Sequence, residues 1–278
     1  MSNSPLVSIL IPTYNRKNKV EIAINSALSQ TYENIEIIVS DNCSSDGTID
    51  YIKGLYKNVK KVKIFENPVN SGPVNNWINC VENSSGEFSK LLFSDDTISA
   101  NYIEKTIQIL KSDKDIGFVY TPALIENSSR KRLFYNTYST SRKIESSKIE
   151  NRFLIDFNVP VSPGAALFRR SDLLENIKKS IQNSKGKDFD IFGAGTDLNI
   201  YFELMSKYKY VYFSNETKAY FFGDNTSFTI SNNLDYYYQT VRFNYLEKKK
   251  LSFKIIIIKI IIKLKITKFF NYLPPYFN

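Results

Sequence analysis

Histidine is absent from the 278 residues, and only two cysteines, Cys43 and Cys80, are present. A histidine-based metal site is thereby excluded, no zinc spacing exists, and two thiols make no disulfide framework. A reducing, cytosolic compartment suits such a chain. The start, MSNSPLVSILIPTYN, lacks the basic n-region and long apolar h-region of a signal peptide, so Val7 to Ile11 is read as a first strand. Glycine-rich phosphate loops are missing as well: there is no GxxxxGKS/T, and no GxGxxG between the first strand and its helix. Basic charge is scarce as an excess over most of the chain. The net charge is +9, but from Thr240 onward nine Lys or Arg stand against one Glu, so the preceding residues are almost neutral. That distribution argues against nucleic acid as a partner and assigns the basic character to a tail.

What is present is a soluble, globular composition, 42% hydrophobic and 23% charged, long enough to bury its own core. The first hundred residues alternate strand and helix patterns. VSILI (7–11), IEIIVS (35–40), VKIFE (62–66) and FSKLLF (88–93) have strand length. Between them Val20, Ala23, Ile24, Ala27 and Leu28, then Ile49, Ile52 and Leu55, then Val74, Trp77, Ile78 and Val81 recur at helical spacing. This rhythm predicts an α/β fold with a mostly parallel, Rossmann-like sheet flanked by helices.

In such sheets ligands bind beyond the carboxyl ends of the strands. The rule gathers Pro12, Thr13, Tyr14 and Asn15, then Asp41, then Asn70, Ser71 and Gly72, and finally Asp95 and Asp96, at one crevice. Farther on, Glu126 to Arg152 is polar and read as irregular, and VPVSPGAALF (159–168) reads as a turn entering a strand. The polar stretch 183–195 precedes a helix bearing Leu198, Tyr201, Phe202 and Met205 on one face. Tyr210 to Phe213 and Lys218 to Phe222 read as closing strands, and no internal repeat occurs.

Two adjacent carboxylates on a strand-end loop, with no imidazole or thiolate cluster, suit a hard cation such as Mg²⁺ or Mn²⁺ that shares its coordination with a substrate diphosphate. Spacing alone leaves a second reading open, in which Asp95 and Asp96 cap the helix carrying Ile103, Ile107 and Leu110. Tyr14 is equally compatible with an ordinary turn, and Asp41 with a strand-end cap or Asx turn.

The string SILIPTYNRKNKVEIAINSALSQTYENIEIIVSDNCSSDGT, followed by NSGPVNNWINCVENSSGEFSKLLFSDD, resembles family 2 inverting glycosyltransferases with a GT-A fold, of the bacterial envelope or capsule glycan type. The likeness covers about the first hundred residues; beyond them GTDLNIYFEL (195–204) resembles the segment that holds the family's catalytic base. The resemblance implies that Pro12, Thr13, Tyr14 and Asn15 line a nucleoside pocket, with Tyr14 stacking on the base and Asp41 bonded to its edge. Asp46 and Asn76 would lie nearby, and Ser94 and Asp95 would complete the nucleotide site. It further implies a metal, Mg²⁺ or Mn²⁺, on Asp95 and Asp96, and Asp197 as the base, with Asp188 and Asp190 as fallback candidates. A helix-cap role for Asp197 stays open, with Thr196 as competitor. Two departures stand out. The usual DxD begins where this chain has Phe93, and the histidine common after the acceptor half is replaced by FFGDNTSFT (221–229), where Gly223 or Asp224 falls.

These implications predict a metal-dependent transferase that moves a sugar from a nucleotide-sugar donor, a UDP-sugar, to a saccharide or lipid-linked saccharide acceptor. The expected organisation is a donor half (1–100), an acceptor and base half (101–230), and a helical lysine-rich tail (231–278). From Leu251 the tail reads LSFKIIIIKIIIKLKITKFFNYL. Its lysines interrupt the apolar run too often for a span. An anionic membrane surface is the expected partner, at the inner face of the cell membrane, with packing on the catalytic body or another subunit as alternatives. A nucleotidyltransferase would need a basic glycine-rich loop after the first strand, which PTYNRK does not supply; a non-catalytic sugar-nucleotide-binding protein would need no base, and Asp197 argues against it.

Overall fold

A computed structural model of the protein describes residues 4–126, 131–155, 158–183, 185–186, 188–222 and 234–249. The lysine-rich stretch from Leu251, together with Gly223 and Asp224, lies outside the described residues.

The strands run β1 (Val7–Thr13), β2 (Ile35–Asp41), β3 (Val62–Glu66), β4 (Phe88–Leu91), β5 (Thr97–Ile98), β6 (Ile116–Tyr120), β7 (Ala123–Glu126), β8 (Lys131–Phe134), β9 (Arg142–Glu145), β10 (Ala166–Arg169), β11 (Tyr210–Phe213) and β12 (Ala219–Phe222). The helices are α1 (Val20–Leu28), α2 (Thr48–Tyr56), α3 (Pro73–Glu82), α4 (Tyr102–Ser112), α5 (Ser146–Ile155), α6 (Arg170–Ile177), α7 (Thr196–Lys207) and α8 (Asp235–Lys248).

One eight-stranded sheet has the order β3-β2-β1-β4-β10-β6-β11-β9. β1 pairs in parallel with β2 and β4, and β2 with β3; β10 enters antiparallel between β4 and β6, β11 is again parallel to β6, and β9 closes the edge antiparallel. The apolar runs of β1 and β2 are buried on both faces, as a parallel sheet covered by helices requires. On one face Val7, Ile9, Ile11, Ile37 and Val39 pack against α1, α2 and α4. On the other, Leu10, Ile38, Leu91, Phe118 and Phe168 pack against α3, α5, α6, α7 and α8.

The regular first hundred residues fold as their periodicity predicts. The polar stretch after Glu126 is more ordered than its composition suggests, because β8 pairs with β7, β9 with β11, and α5 buries Ile149, Phe153 and Leu154. β12 does not close the main sheet. It joins a second sheet of order β5-β12-β7-β8, which seats the chain just after Asp96 against Ala219 and Tyr220. The described start of the tail, α8, buries Tyr237, Val241, Tyr245 and Leu246 in the same core as α7.

At the amino ends of the strands, away from the crevice, Glu36 is a buried carboxylate clamped between three segments. It accepts from Ser8 Oγ at 2.6 Å, Ser85 N–H at 2.6 Å, Gly86 N–H at 3.1 Å and Lys63 Nζ at 2.7 Å. Burial alone would raise its pKa, but these donors hold it at about 2. Because the folded value lies below the unfolded one, the clamp stabilises fully above the ordinary glutamate range, and that contribution is lost as pH falls from about 4.5 towards 2. Glu36→Ala leaves the Ser8, Ser85 and Gly86 donors without their acceptor and should cost about 2–4 kcal/mol in a urea melt at neutral pH. A midpoint equal to wild type would show the clamp to be dispensable.

Candidate active site

The crevice is built from the carboxyl ends of β1, β2 and β4. Pro12 and Thr13 are the last residues of β1, and Tyr14 beyond them is 43% exposed, its ring uncovered. Asn15 adopts a left-handed conformation (φ 50°), which an asparagine tolerates better than most residues. Its N–H donates to Ser44 Oγ at 2.8 Å and its Oδ1 accepts from Ser45 N–H at 2.9 Å. Ser44 in turn donates to Asp41 through its N–H (2.8 Å) and Oγ (2.6 Å). Asp41 is therefore fully buried, with both oxygens turned into the Asx-type turn that links β2 to the PTYN segment. Asp46 accepts from Lys17 N–H at 3.3 Å and Thr48 N–H at 3.0 Å, binding the start of α2 to the same segment.

Asn76 braces the floor from α3. Its amide donates to the carbonyls of Thr13 (3.3 Å) and Ser40 (3.1 Å) and accepts from Asn67 at 3.0 Å. Asn42 extends the network to Asn70 and to the Gly72 carbonyl, at 2.8 and 3.2 Å. Gly72 has φ 84° and ψ 166°, a backbone state essentially confined to glycine, and it begins α3. The residues predicted to share a crevice after β1, β2 and β3 are thus joined by hydrogen bonds.

On the β4 side the strand ends at Leu91, and a turn closed by Asp96 N–H on the Phe93 carbonyl (3.0 Å) carries Ser94, Asp95 and Asp96. The helix-cap reading of the two carboxylates fails here, because β5 intervenes and α4 starts only after Asn101. Ser94 is buried. Asp95 is partly exposed and faces the Arg16 guanidinium, Nη2 to Oδ2 at 3.8 Å. Asp96 turns inward and accepts from Phe222 N–H at 3.2 Å; burial, then the neighbouring Asp95, raises its pKa. Phe93, in place of an acidic residue, packs on Trp77 of α3 with ring centroids 5.5 Å apart. An aspartate there would lie against indole, so Phe93 and Trp77 belong together.

No group of three acidic, histidine or cysteine side chains able to hold a metal occurs among the described residues. Two carboxylates nonetheless fit Mg²⁺ or Mn²⁺ bound with a diphosphate, since such ions keep waters and take much of their coordination from substrate oxygens.

The loop before α7 reaches the same region through Trp77, the ring on which Phe93 packs. Gly193 (φ 69°) and Gly195 (φ 86°) precede it, where added Cβ atoms would strike the Trp77 ring at 2.6 Å and the Phe189 ring at 2.7 Å. Only glycine allows this loop to lie so close to α3. Asp197 is buried; its Oδ1 accepts the N–H groups of Gly195 (2.9 Å) and Leu198 (2.7 Å), and its Oδ2 accepts Tyr238 Oη at 2.9 Å. Burial pushes its pKa up, while these donors and the Arg242 charge pull it down, leaving it at about 7. The helix begins at Thr196 with no side-chain cap at Gly195, so Thr196 does not compete for that role. Asp188 and Asp190 are exposed in the preceding loop, and the Asp190 carbonyl rests on Gly72.

Arg16, Tyr238 and Arg242 were not singled out in the sequence. Arg16 directly follows PTYN and could have been noticed there; the two α8 residues lie some forty positions from Asp197, and only packing brings them to it.

A family model described as "Glycosyl transferase family 2" matches residues 8–177, and the chain belongs to this family. A Campylobacter jejuni GalNAc(5)-diNAcBac-PP-undecaprenol β-1,3-glucosyltransferase is 32% identical over 145 residues, 52% of this chain and 46% of that protein. A Pasteurella multocida hyaluronan synthase is 34% identical over 117 residues, 42% of this chain and 12% of the synthase. The chain thus spans less than half the length of these relatives. Among solved structures, Staphylococcus aureus TarS 1-349 in complex with UDP-GlcNAc superposes with a TM-score of 0.62 at 17% identity, over 83% of this chain and 62% of that one. The mannosyltransferase PcManGT from Pyrobaculum calidifontis, in complex with GDP-Man and Mn²⁺, does so with 0.55 at 16% identity, over 82% and 59%. The fold is therefore the GT-A fold of these glycosyltransferases.

Proposed function

We propose that the protein transfers a sugar, with inversion at the anomeric carbon, from a UDP-sugar to a hydroxyl of a growing saccharide or lipid-linked saccharide. The observation that carries the reading is Asp197, a buried carboxylate whose pKa is raised to about 7, at the start of a helix whose preceding loop packs on Trp77 beside Phe93. Burial raises the pKa of Tyr135, and the charges of Asp197 and Asp96 both add to that rise. Support also comes from the relatives: the Campylobacter enzyme is named for an undecaprenol-linked acceptor, TarS is seen with UDP-GlcNAc, and PcManGT with GDP-Man and Mn²⁺.

In this reading the exposed Tyr14 ring stacks on the base, and the Asp41–Ser44–Asn15 turn shapes the pocket around it. Arg16 pairs with Asp95 at 3.8 Å and is placed to meet a diphosphate. Asp95, with Asp96 behind it, would hold the Mg²⁺ or Mn²⁺, which when bound offsets charge on the leaving diphosphate. Asp197 accepts the proton of the acceptor hydroxyl as that oxygen bonds to the anomeric carbon. The bond to the diphosphate breaks on the opposite face, and the nucleotide carries the electron pair away.

Nucleotide release from a panel of UDP- and GDP-sugars, with and without Mn²⁺, tests this. Mn²⁺-dependent release is expected with one donor class, and no release from any donor in the presence of acceptor glycans would sink the proposal. Tyr238→Phe removes a donor that favours the Asp197 anion, so the acid limb of kcat/KM should move upward by about one pH unit. An unmoved limb would mean that Asp197 is not the group that titrates.

A further inference from the structure

Lys90 is fully buried in β4, and the reaction described above does not use it. It alternates with Leu91 and so points, with Phe88, to the sheet face covered by α4. A cation there is costly unless compensated; burial draws its pKa down to about 7. Its ammonium lies 4.3 Å from the centroid of the Tyr102 ring and donates to the Gly164 carbonyl. A methionine would fill nearly the same volume without that cost, so the carbonyl contact is what the lysine adds.

Gly164 sits in the short turn from Ser162 into β10. The turn is fastened from several directions. Gly164 N–H donates to Ser162 Oγ at 3.2 Å, Thr121 N–H donates to the Ala165 carbonyl at 2.9 Å, and Tyr201 Oη donates to the Ser162 carbonyl at 2.8 Å. Tyr201 follows Asp197 by one turn of α7, and Lys90 precedes Asp95 by five residues on β4. The Ser162–Ala165 turn is thus tied on one side to the strand that ends in the carboxylate pair and on the other to the helix that carries the base. The Phe93 ring is 3.4 Å from where a Cβ on Gly164 would be, so the turn also abuts the residue that departs from the usual acidic motif.

We propose that the Ser162–Ala165 turn is the shelf supporting the transferred sugar between diphosphate and base, and that Lys90 is the positioning residue that fixes it to the Asp95–Asp96 strand end. This rests on the sugar-transfer reading. On that reading the sugar and not the nucleoside diphosphate meets the shelf, so comparing UDP binding with turnover separates the role from a merely structural one.

The experiment compares wild type with Lys90→Met in three measurements: UDP affinity with Mn²⁺ by calorimetry, melting temperature, and nucleotide release from the active UDP-sugar. Lys90→Met should bind UDP within about twofold of wild type and melt no lower, yet release nucleotide about 30-fold more slowly, chiefly in kcat. Gly164→Ala, which crowds Ser162 Oγ, Phe93 and Phe221 while leaving Lys90 in place, should give the same split. Turnover of either variant within about threefold of wild type overturns the proposal. Joint loss of UDP affinity and melting temperature in Lys90→Met does so too, since it would show a role in the core alone. Absence of turnover in wild type with every donor, by contrast, overturns the sugar-transfer reading itself, and the shelf with it.

Discussion

Asp197→Asn should lower turnover by about 10³-fold while leaving UDP binding and the melting temperature intact. The substitution keeps the shape of the side chain and an acceptor for the Gly195 and Leu198 N–H groups, but it removes the proton acceptor. Stability should not suffer, because the buried carboxylate is a cost to the fold. Its pKa is raised, so between about 4 and 7 the folded chain retains a proton that the unfolded chain has released, and this group makes the protein less stable as pH rises through that window. The same group dictates the pH profile of wild type. Activity that needs the anion should rise as pH passes upward through about 7, and the limb should disappear in Asp197→Asn. Turnover of the variant within about tenfold of wild type would transfer the role of base elsewhere, with Asp188 and Asp190 the candidates to mutate next.

The second large effect is expected at Asp95. Asp95→Ala removes the partly exposed carboxylate of the pair and the partner of Arg16, and should reduce Mn²⁺-dependent turnover by about 10²–10³-fold. Titration of Mn²⁺ against nucleotide release measures it, with the metal concentration for half-maximal rate rising together with the loss. Asp96→Asn makes a useful contrast. Asp96 is buried and one of its oxygens is bonded to the Phe222 backbone, so its substitution should disturb the junction of β5 and β12 as well as the metal response. Wild-type turnover in Asp95→Ala, without any dependence on Mn²⁺, would remove the metal-diphosphate account altogether.

The first hundred residues were legible because they obey local rules. Short apolar runs separated by helical spacing predict parallel strands, and the position of each polar residue after a strand then places it at the crevice. Asn15, Asp41, Asn70 and Asp95 needed no more than that to be gathered. The ordered motifs around them carried the family resemblance, which the family match over residues 8–177 bears out. Polarity misled between Glu126 and Arg152, because β8 and β9 are edge strands whose exposed faces are meant to be polar, and α5 buries one side only.

The chain's chemistry-bearing residues, its missing glycine loop and histidine, and the succession of strands and helices in its first hundred residues follow from sequence, since each depends on neighbours a few positions away. Which carboxylate of the acidic pair stays exposed, why Phe93 can stand in the usual motif, and what tunes Asp197 depend on contacts between distant segments. Trp77 explains Phe93; Tyr238 and Arg242 of α8 set the surroundings of Asp197; Lys90 meets Gly164 across 74 residues. Burial and the donors that accompany it decide whether a carboxylate is a cap, a ligand or a base, and only the packed chain supplies them.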